Sequence, residues 1–464
     1  MEKKQRGSFS SGLGFVLAAA GSAVGLGNIW RFPYLAAQDG GGIFLLTYLI
    51  LTLTFGFSLL TTEIAIGRKT RQSPLTAYGS IRKGWGPLGI FASLVPFIIM
   101  PYYSVIGGWV MHYFVAFISG NMSGAATDGY FTGFITDYSG PLIYMIIFLS
   151  ANVLIVFLGV DKGIERCSRI LMPMLFIMII GISVFSITLH HTDDSGITRS
   201  GLEGLSIYVI PDFKDLSFTG LLRVISDAMS QMFYSLSVAM GIMVAYGSYM
   251  KDDVDMSKSI NQIEIFDTLV AFLAGVMIIP AVFVFSGREG MSAGPSLMFI
   301  TLPKVFNSMG QLGAFVGLVF FLLVFFAALT SSVSILEAIV SSVIDKFSFT
   351  RKKAVLICSA CTFVLAIIVC LGYNALYFEL PLPNGSVAQV LDVMDYLSNS
   401  VLMPIVAIAE CVLIGWIMKP EYACSEMEKN GKKFIRKPLY IVMVRFIAPF
   451  LLFVMLLQSL GIIK

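Results

Sequence analysis

Residues 21–33 read GSAVGLGNIWRFP, inside an apolar run that begins at Gly12. Glycines, an asparagine, an arginine and a proline stand where a bilayer-crossing helix would be most regular. In hydrocarbon each unpaired backbone group costs several kcal/mol, roughly, so a broken membrane helix persists only where it lines a cavity or binds something. Gly21 and Gly25 also form a GxxxG, the pattern of close helix packing, but packing explains neither Asn28 nor Arg31. The fragment GLGNIW opens like a GxGxxG dinucleotide loop, yet it lacks the third glycine and a preceding strand.

Composition identifies the solvent as lipid. Of 464 residues, 57% are hydrophobic and 13% charged, against about a quarter charged in soluble domains. The net charge of +3 is too small and too scattered for a nucleic-acid surface. Six cysteines show no disulfide spacing, and the CxxC of Cys358 and Cys361 lies in an apolar run unsuited to a metal. The first apolar run is too long for a cleavable signal and lacks a small-residue cleavage site.

A crossing helix needs roughly 20 apolar residues. That ruler places eleven spans near 12–36, 41–67, 88–118, 139–159, 167–189, 219–249, 260–286, 311–345, 353–373, 388–418 and 438–461. With the N-terminus cytoplasmic, 23 of the 31 Lys and Arg fall on inner segments, as the positive-inside rule requires. The C-terminus is then extracytoplasmic. The outer connections 120–138 and 190–218 are polar, whereas 287–310 ends in an amphipathic stretch. Two outer sites, Asn121-Met122-Ser123 and Asn384-Gly385-Ser386, match the glycosylation pattern, which bacterial loops also carry unmodified.

A second span is punctuated at its centre. In SQMFYSLSVAMGIMVAYGSY, 230–249, Ser235, Ser237 and Gly241 interrupt the sixth helix as the glycines interrupt the first. Two sets of five helices must have opposite orientations, and paired interrupted helices in such inverted halves are the sequence pointer to a binding site at the membrane midplane. The expected architecture is an all-α integral membrane protein with discontinuous helices 1 and 6. It forms one domain: a tail (1–11), two repeats (12–190 and 219–418) and an eleventh helix (438–461). A channel would need a continuous polar stripe or a selectivity ring, and none is present. A sensor would need an output domain, and an enzyme would need partners for His112, His190 and His191.

With GGGIF at 40–44, KGIER at 162–166, QMFYSLS at 231–237, LTSSVSILEA at 329–338 and LDVMDY at 391–396, the opening stretch resembles the signature of the neurotransmitter:sodium symporter family. The resemblance covers nearly the whole chain. It is nearest the bacterial amino-acid branch with eleven helices, and it implies a LeuT-type 5+5 inverted repeat in a bacterial plasma membrane. It also implies alternating access, amino-acid cargo and two sodium ions.

For the first ion the resemblance points to the Ala23 carbonyl, Asn28, Ser235, Asp267 and the cargo carboxylate. For the second it points to the carbonyls of Gly21, Val24 and Ala327 with the hydroxyls of Thr330 and Ser331. Unaided, Thr330, Ser331 and Ser332 read as hydroxyls capping their own helix. Chloride-dependent members carry asparagine at position 267 and serine at 271, where this chain has Asp267 and Ala271. Tyr48, Gln231 and Ser235 match the remaining chloride contacts. Chloride is therefore not required on this reading, because Asp267 supplies a fixed negative charge. An intramembrane acid costs roughly 2.5–3.5 kcal/mol, so it needs a cation. The alternative places Asp267 near the inner interface, following Asp252, Asp253 and Asp255. Proton coupling, with Asp267 titrating, is the rival mechanism among transporters, and a non-transporting amino-acid sensor is the rival class.

Gly25 stands where monoamine carriers have aspartate, so the cargo brings its own carboxylate. That group meets sodium, the half-helix end around Gly27, and the Tyr103 hydroxyl. The amine faces the carbonyls of Ala23, Tyr234 and Ser237. Side-chain contacts implied by resemblance are Ile99, Tyr103, Tyr234, Met240, Ser332 and Ile335, which suit a neutral hydrophobic amino acid, aromatic ones included. Ala239-Met240-Gly241 replaces a Gly-x-Gly. The outer gate is Arg31 with Asp395 under a lid of Tyr103 and Tyr234. The inner gate is Arg6 with Asp345, beside Phe9, Ser248 and Tyr249, with Phe9 in place of the family's tryptophan. Gly163 and Pro173 match a Gly-x9-Pro that unwinds helix 5. Glu63, Glu337 and Glu410 receive no transport role, and the oligomeric state is left open.

Overall fold

The computed structural model describes residues 7–192, 196–211, 213, 216–291 and 296–463. Among them, nine helices are long and apolar enough to cross a bilayer: Gly42–Thr70, Gly86–Ile118, Gly140–Leu158, Val160–Ile187, Met256–Arg288, Gln311–Phe347, Arg351–Leu371, Val390–Ile417 and Lys437–Ser459. Gly12–Ala23 and Gly27–Gln38 make a further span bent by 51°. The stretch expected as the sixth span is divided into Phe218–Ser235 and Ile242–Tyr249 around residues 236–241. The two interrupted helices are thus the first member of each five-helix set.

Packing repeats under a shift of five. The second span packs on both halves of the sixth, as the seventh packs on both halves of the first. The third meets the fourth and ninth, as the eighth meets the ninth and fourth, and the third and eighth pack on each other. These pairings are those of an inverted repeat, with the broken helices enclosed at its centre.

Polarity runs inside out. Leu154, Ile177, Leu356 and Phe450 are exposed, whereas Asn28, Glu63, Gln231, Asp267, Glu337 and Glu410 are fully buried. A lipid-solvated protein requires this arrangement, because polar groups must face the bundle interior. The basic segments meet at one end, where Arg71 and Lys429 both reach Asp252 and Lys69 donates to the Tyr422 carbonyl.

The connections hold more structure than their polarity suggests. Strands His190–Thr192 and Thr198–Ser200 pair antiparallel and lead into helix Gly201–Val209. Ser200 and Glu203 close a capping box there, a signal readable in the sequence as S-x-x-E. The fifth span begins at Val160 instead of near 167, in a wide π-type turn, Val160–Glu165, that carries polar residues.

Candidate functional site

The first break begins at Val24, whose N–H makes the last bond of its helix, to the Ala20 carbonyl at 2.7 Å, before the backbone turns extended. Its glycines make room for neighbours. A Cβ on Gly25 would lie 2.9 Å from both Ser331 Oγ and Tyr103 OH, and one on Gly27 would lie 2.4 Å from the Tyr234 ring. In the second break Ser237, Ala239 and Gly241 all have left-handed backbone, at φ 53°, 60° and 69°. That conformation costs an L side chain roughly 1–2 kcal/mol, so the break is stabilised from outside. The Ala239 N–H donates to Glu63 Oε1 at 2.5 Å. The breaks are tied together, as the Ser237 hydroxyl donates to the Ser22 carbonyl at 3.0 Å.

Between them lies a polar cluster centred on Asp267. Asn28 Nδ2 donates to Asp267 Oδ1 at 2.8 Å and to Ser235 Oγ at 2.8 Å, and Ser235 donates to the same Oδ1 at 2.7 Å. Tyr48 donates to Oδ2 at 2.9 Å. Gln231 Nε2 reaches the Gly27 carbonyl at 2.9 Å. The carboxylate is fully buried, and among the described residues its partners are all neutral. The cluster's oxygens are the Asp267 carboxylate, the Ser235 and Tyr48 hydroxyls and the Gly27 carbonyl, while Asn28 presents its amide nitrogen and its Oδ1 accepts from the Gly25 N–H at 3.2 Å. Such oxygens suit a small hard cation.

The proposed second-ion residues are neighbours without forming an equally closed cluster. A Cβ on Gly21 would lie 3.3 Å from Thr330 Cβ. The Thr330 hydroxyl returns to its own helix, at 3.0 Å from the Phe326 carbonyl and 3.2 Å from that of Ala327.

Beside the cluster, Ala23, Gly25, Gly27, Ile99, Tyr103, Tyr234, Ser237, Met240, Ser331 and Ile335 line a cavity of about 10 Å³. Tyr103 OH accepts from the Leu26 N–H at 3.2 Å. Ser332 is the exception among the expected contacts. Its hydroxyl points to Asn152 Oδ1 at 2.6 Å, and Ser331, one residue earlier and about 100° around the helix, takes the cavity wall. Ser235 likewise faces Asp267 instead of the cavity.

Above this cavity a vestibule of about 480 Å³ is lined by Arg31, Trp30, Tyr102, Trp109, Phe299, Asp395 and others. Gly27 and Tyr234 line both spaces, so the Tyr234 ring stacked over Gly27 is the partition. Arg31 and Asp395 share the vestibule without a direct bond. Arg31 donates to Ser230 Oγ at 3.0 Å, and Asp395 accepts from Tyr102 at 3.1 Å and Asn399 at 2.6 Å.

The basic end is plugged. The buried Phe9 ring packs edge-on against Phe15 and Tyr246 at 5.5 Å and Tyr249 at 6.2 Å. Arg6 lies outside the described residues, and Asp345 accepts from the Ser73 N–H at 2.6 Å. The Ser248 hydroxyl turns back to the Ala245 carbonyl of its own helix. Glu337, given no transport role from the sequence, accepts from Tyr249 at 2.7 Å and pairs with Arg351. Its signal was position, two turns beyond Thr330 on the same helix face. The fifth span is helical through Pro173, and Gly163 sits in its first turn where a Cβ would be 2.0 Å from the Ile155 carbonyl.

The sequence pattern of the sodium:neurotransmitter symporter family matches residues 6–132 and 130–464. The chain belongs to this family. As a symporter-family member it is a sodium-dependent, multi-pass membrane transporter and not an enzyme. It is 33% identical to the uncharacterized sodium-dependent transporter YhdH of Bacillus subtilis (strain 168), over the full length of both. It is 34% identical to the uncharacterized sodium-dependent transporter MJ1319 of Methanocaldococcus jannaschii, covering 90% of this chain and 83% of that one. The crystal structure of MhsT in complex with L-phenylalanine superposes with a TM-score of 0.86 at 34% identity, covering 98% of this chain and 100% of the other. The symporter fold, with discontinuous first and sixth helices, is thereby common to both.

Proposed function

We propose that this symporter imports neutral hydrophobic L-amino acids, aromatic ones included, with two sodium ions and without chloride. The observation that carries the reading is the Asp267 cluster: a buried carboxylate held by Asn28, Ser235 and Tyr48, at the junction of both helix breaks, with no basic partner among the described residues. A carboxylate in hydrocarbon needs a cation, and sodium bound through Ala23, Asn28, Ser235 and Asp267 is that cation. The second sodium takes the carbonyls of Gly21, Val24 and Ala327 with Thr330 and Ser331. Tyr48, which would otherwise face chloride, donates to Asp267.

The cargo follows from the cavity. No acid stands at Gly25 to hold a bare amine, while Ile99, Met240 and Ile335 offer apolar walls. The L-phenylalanine bound to MhsT, which shares this fold, is of the same class. In alternating access the Tyr234 partition and the Arg31–Asp395 pair close above the cargo, after which the Phe9 plug and the Arg6–Asp345 pair open below. Eleven crossings in a bacterial plasma membrane, with a cytoplasmic N-terminus, fit the distribution of basic residues.

The test is uptake of L-phenylalanine, L-leucine, L-glutamate and L-lysine into proteoliposomes, with sodium and chloride varied independently. Sodium-driven uptake of the first two that survives exchange of chloride for gluconate supports the proposal. Uptake that collapses in gluconate overturns chloride independence, and uptake in sodium-free buffer under a pH gradient supports proton coupling instead.

A further inference from the structure

At the basic end, the chain entering the first helix is held by a carboxylate that the site above does not use. Glu165 closes the wide turn Val160–Glu165, and its side chain is 1% exposed. It accepts from the Ser10 N–H at 2.7 Å and the Ser10 hydroxyl at 2.5 Å. Arg169, one turn further on, donates to Glu165 at 2.6 Å and to the hydroxyls of Ser10 and Ser11 at 2.7 and 3.0 Å. Ser11 is the N-cap of the first helix, and Lys251 reaches the Ser10 carbonyl at 3.0 Å. Ser10 is therefore held through its N–H, hydroxyl and carbonyl, although the residue itself is exposed. Hydrogen bonds to an ionised acceptor are the strong kind.

The fit depends on Gly14. A Cβ there would lie 1.8 Å from Glu165 Oε1 and 2.3 Å from Cδ. The bare backbone at Gly14 is what lets the carboxylate pass the first helix to reach Ser10. Phe9, the neighbour of Ser10, is the plug against Tyr246 and Tyr249. Wide helical turns of this kind occur mostly as local interruptions and frequently at functional sites.

We infer that Glu165 is a positioning residue for transport, a clamp that joins the first turn of helix 5 to the entry of helix 1. The turn Val160–Glu165 cannot unwind without freeing Ser10, and Ser10 cannot leave without freeing Phe9. Opening of the plug and unwinding around Gly163 are then one step. This rests on the alternating-access reading above.

The experiment measures amide hydrogen exchange of the full chain in lipid nanodiscs, in sodium and in choline, alongside uptake in proteoliposomes. In the unsubstituted protein, removing sodium is expected to speed exchange of residues 8–14 and 160–166 by the same factor. Gly14→Ala is expected to speed 8–14 in sodium by about tenfold, the loss of a charge-assisted bond, although alanine is the better helix former. Glu165→Ala gives the same increase, and the double variant adds nothing further. Glu165→Gln, which still accepts from Ser10 but loses the Arg169 pair, is intermediate. In each variant the two segments no longer respond to sodium by one factor. The external substrate concentration for half-maximal uptake rises more than the maximal rate falls, because the inward-open state gains population. Should Glu165→Ala fail to fold, Gly14→Ala and Ser10→Ala carry the test. Sodium-driven uptake with exchange at 8–14 unchanged in Gly14→Ala overturns the clamp alone. An unsubstituted protein with neither uptake nor a sodium response in exchange overturns the transport reading beneath it.

Discussion

Replacing Asp267 by asparagine removes one charge while keeping the shape and most of the hydrogen bonds of the side chain. Asn28 and Ser235 lie 2.8 and 2.7 Å from Asp267 Oδ1, so a sodium ion among them sits about 4 Å or less from the carboxylate. At an effective dielectric of about 20, that separation gives about 4 kcal/mol of attraction. Offsetting the roughly 2.5–3.5 kcal/mol of holding the carboxylate in hydrocarbon leaves about 0.5–1.5 kcal/mol, about two- to tenfold in sodium affinity. The assay is L-phenylalanine uptake into proteoliposomes against external sodium, in chloride and in gluconate. Asp267→Asn is expected to raise the half-saturating sodium concentration about two- to tenfold in gluconate, with partial recovery in chloride once Ala271→Ser is added to complete the anion contacts. An unchanged sodium curve for Asp267→Asn in gluconate would refute the reasoning, because the charge would then have no part in sodium binding.

Three further outcomes follow from the geometry. Gly27→Ala drives a Cβ to within 2.4 Å of the Tyr234 ring; an overpacking cost of about 1–3 kcal/mol at the partition is expected to cut uptake at least tenfold, while thermal melting in detergent moves by only a few degrees. Ala239→Gly relieves a left-handed alanine and is expected to change stability by no more than about 1 kcal/mol in the favourable direction, read as a higher melting temperature. Glu337→Gln leaves Arg351 facing a neutral amide at the plug, and because Arg351 is 26% exposed the loss is set at about 1–3 kcal/mol, below the figure for a fully buried pair. Its check is melting together with exchange of residues 242–249, which are expected to lose protection first.

The two helix breaks were legible because lipid punishes unpaired backbone and so leaves glycine, serine and asparagine as visible marks at 21–28 and 235–241. Span lengths were legible for the same reason. The helix Gly201–Val209 was not, since a short amphipathic segment at the surface has the composition of a loop and only its capping box betrays it. Within the site, residue types were readable but directions were not. Ser331 and Ser332 are adjacent hydroxyls, and which of them faces the cavity depends on a rotation of the eighth helix that packing sets. The contact of Glu165 with Ser10 joins residues 155 positions apart, and no local pattern announces it. Gly14, whose missing side chain makes that contact fit, reads in the sequence as one small residue among many.

The tethering of Asp267 has an electrical consequence. A mobile anion carried with the cargo would cancel one positive charge on every cycle, whereas a carboxylate bonded to the seventh helix stays behind. Without an accompanying anion the net charge moved per cycle is larger by one, worth about 2.3 kcal/mol at 100 mV. On the chloride-independent reading proposed above, the carrier draws its driving force from voltage and the sodium gradient alone, so at a given sodium concentration cargo is expected to accumulate as steeply without halide as with it.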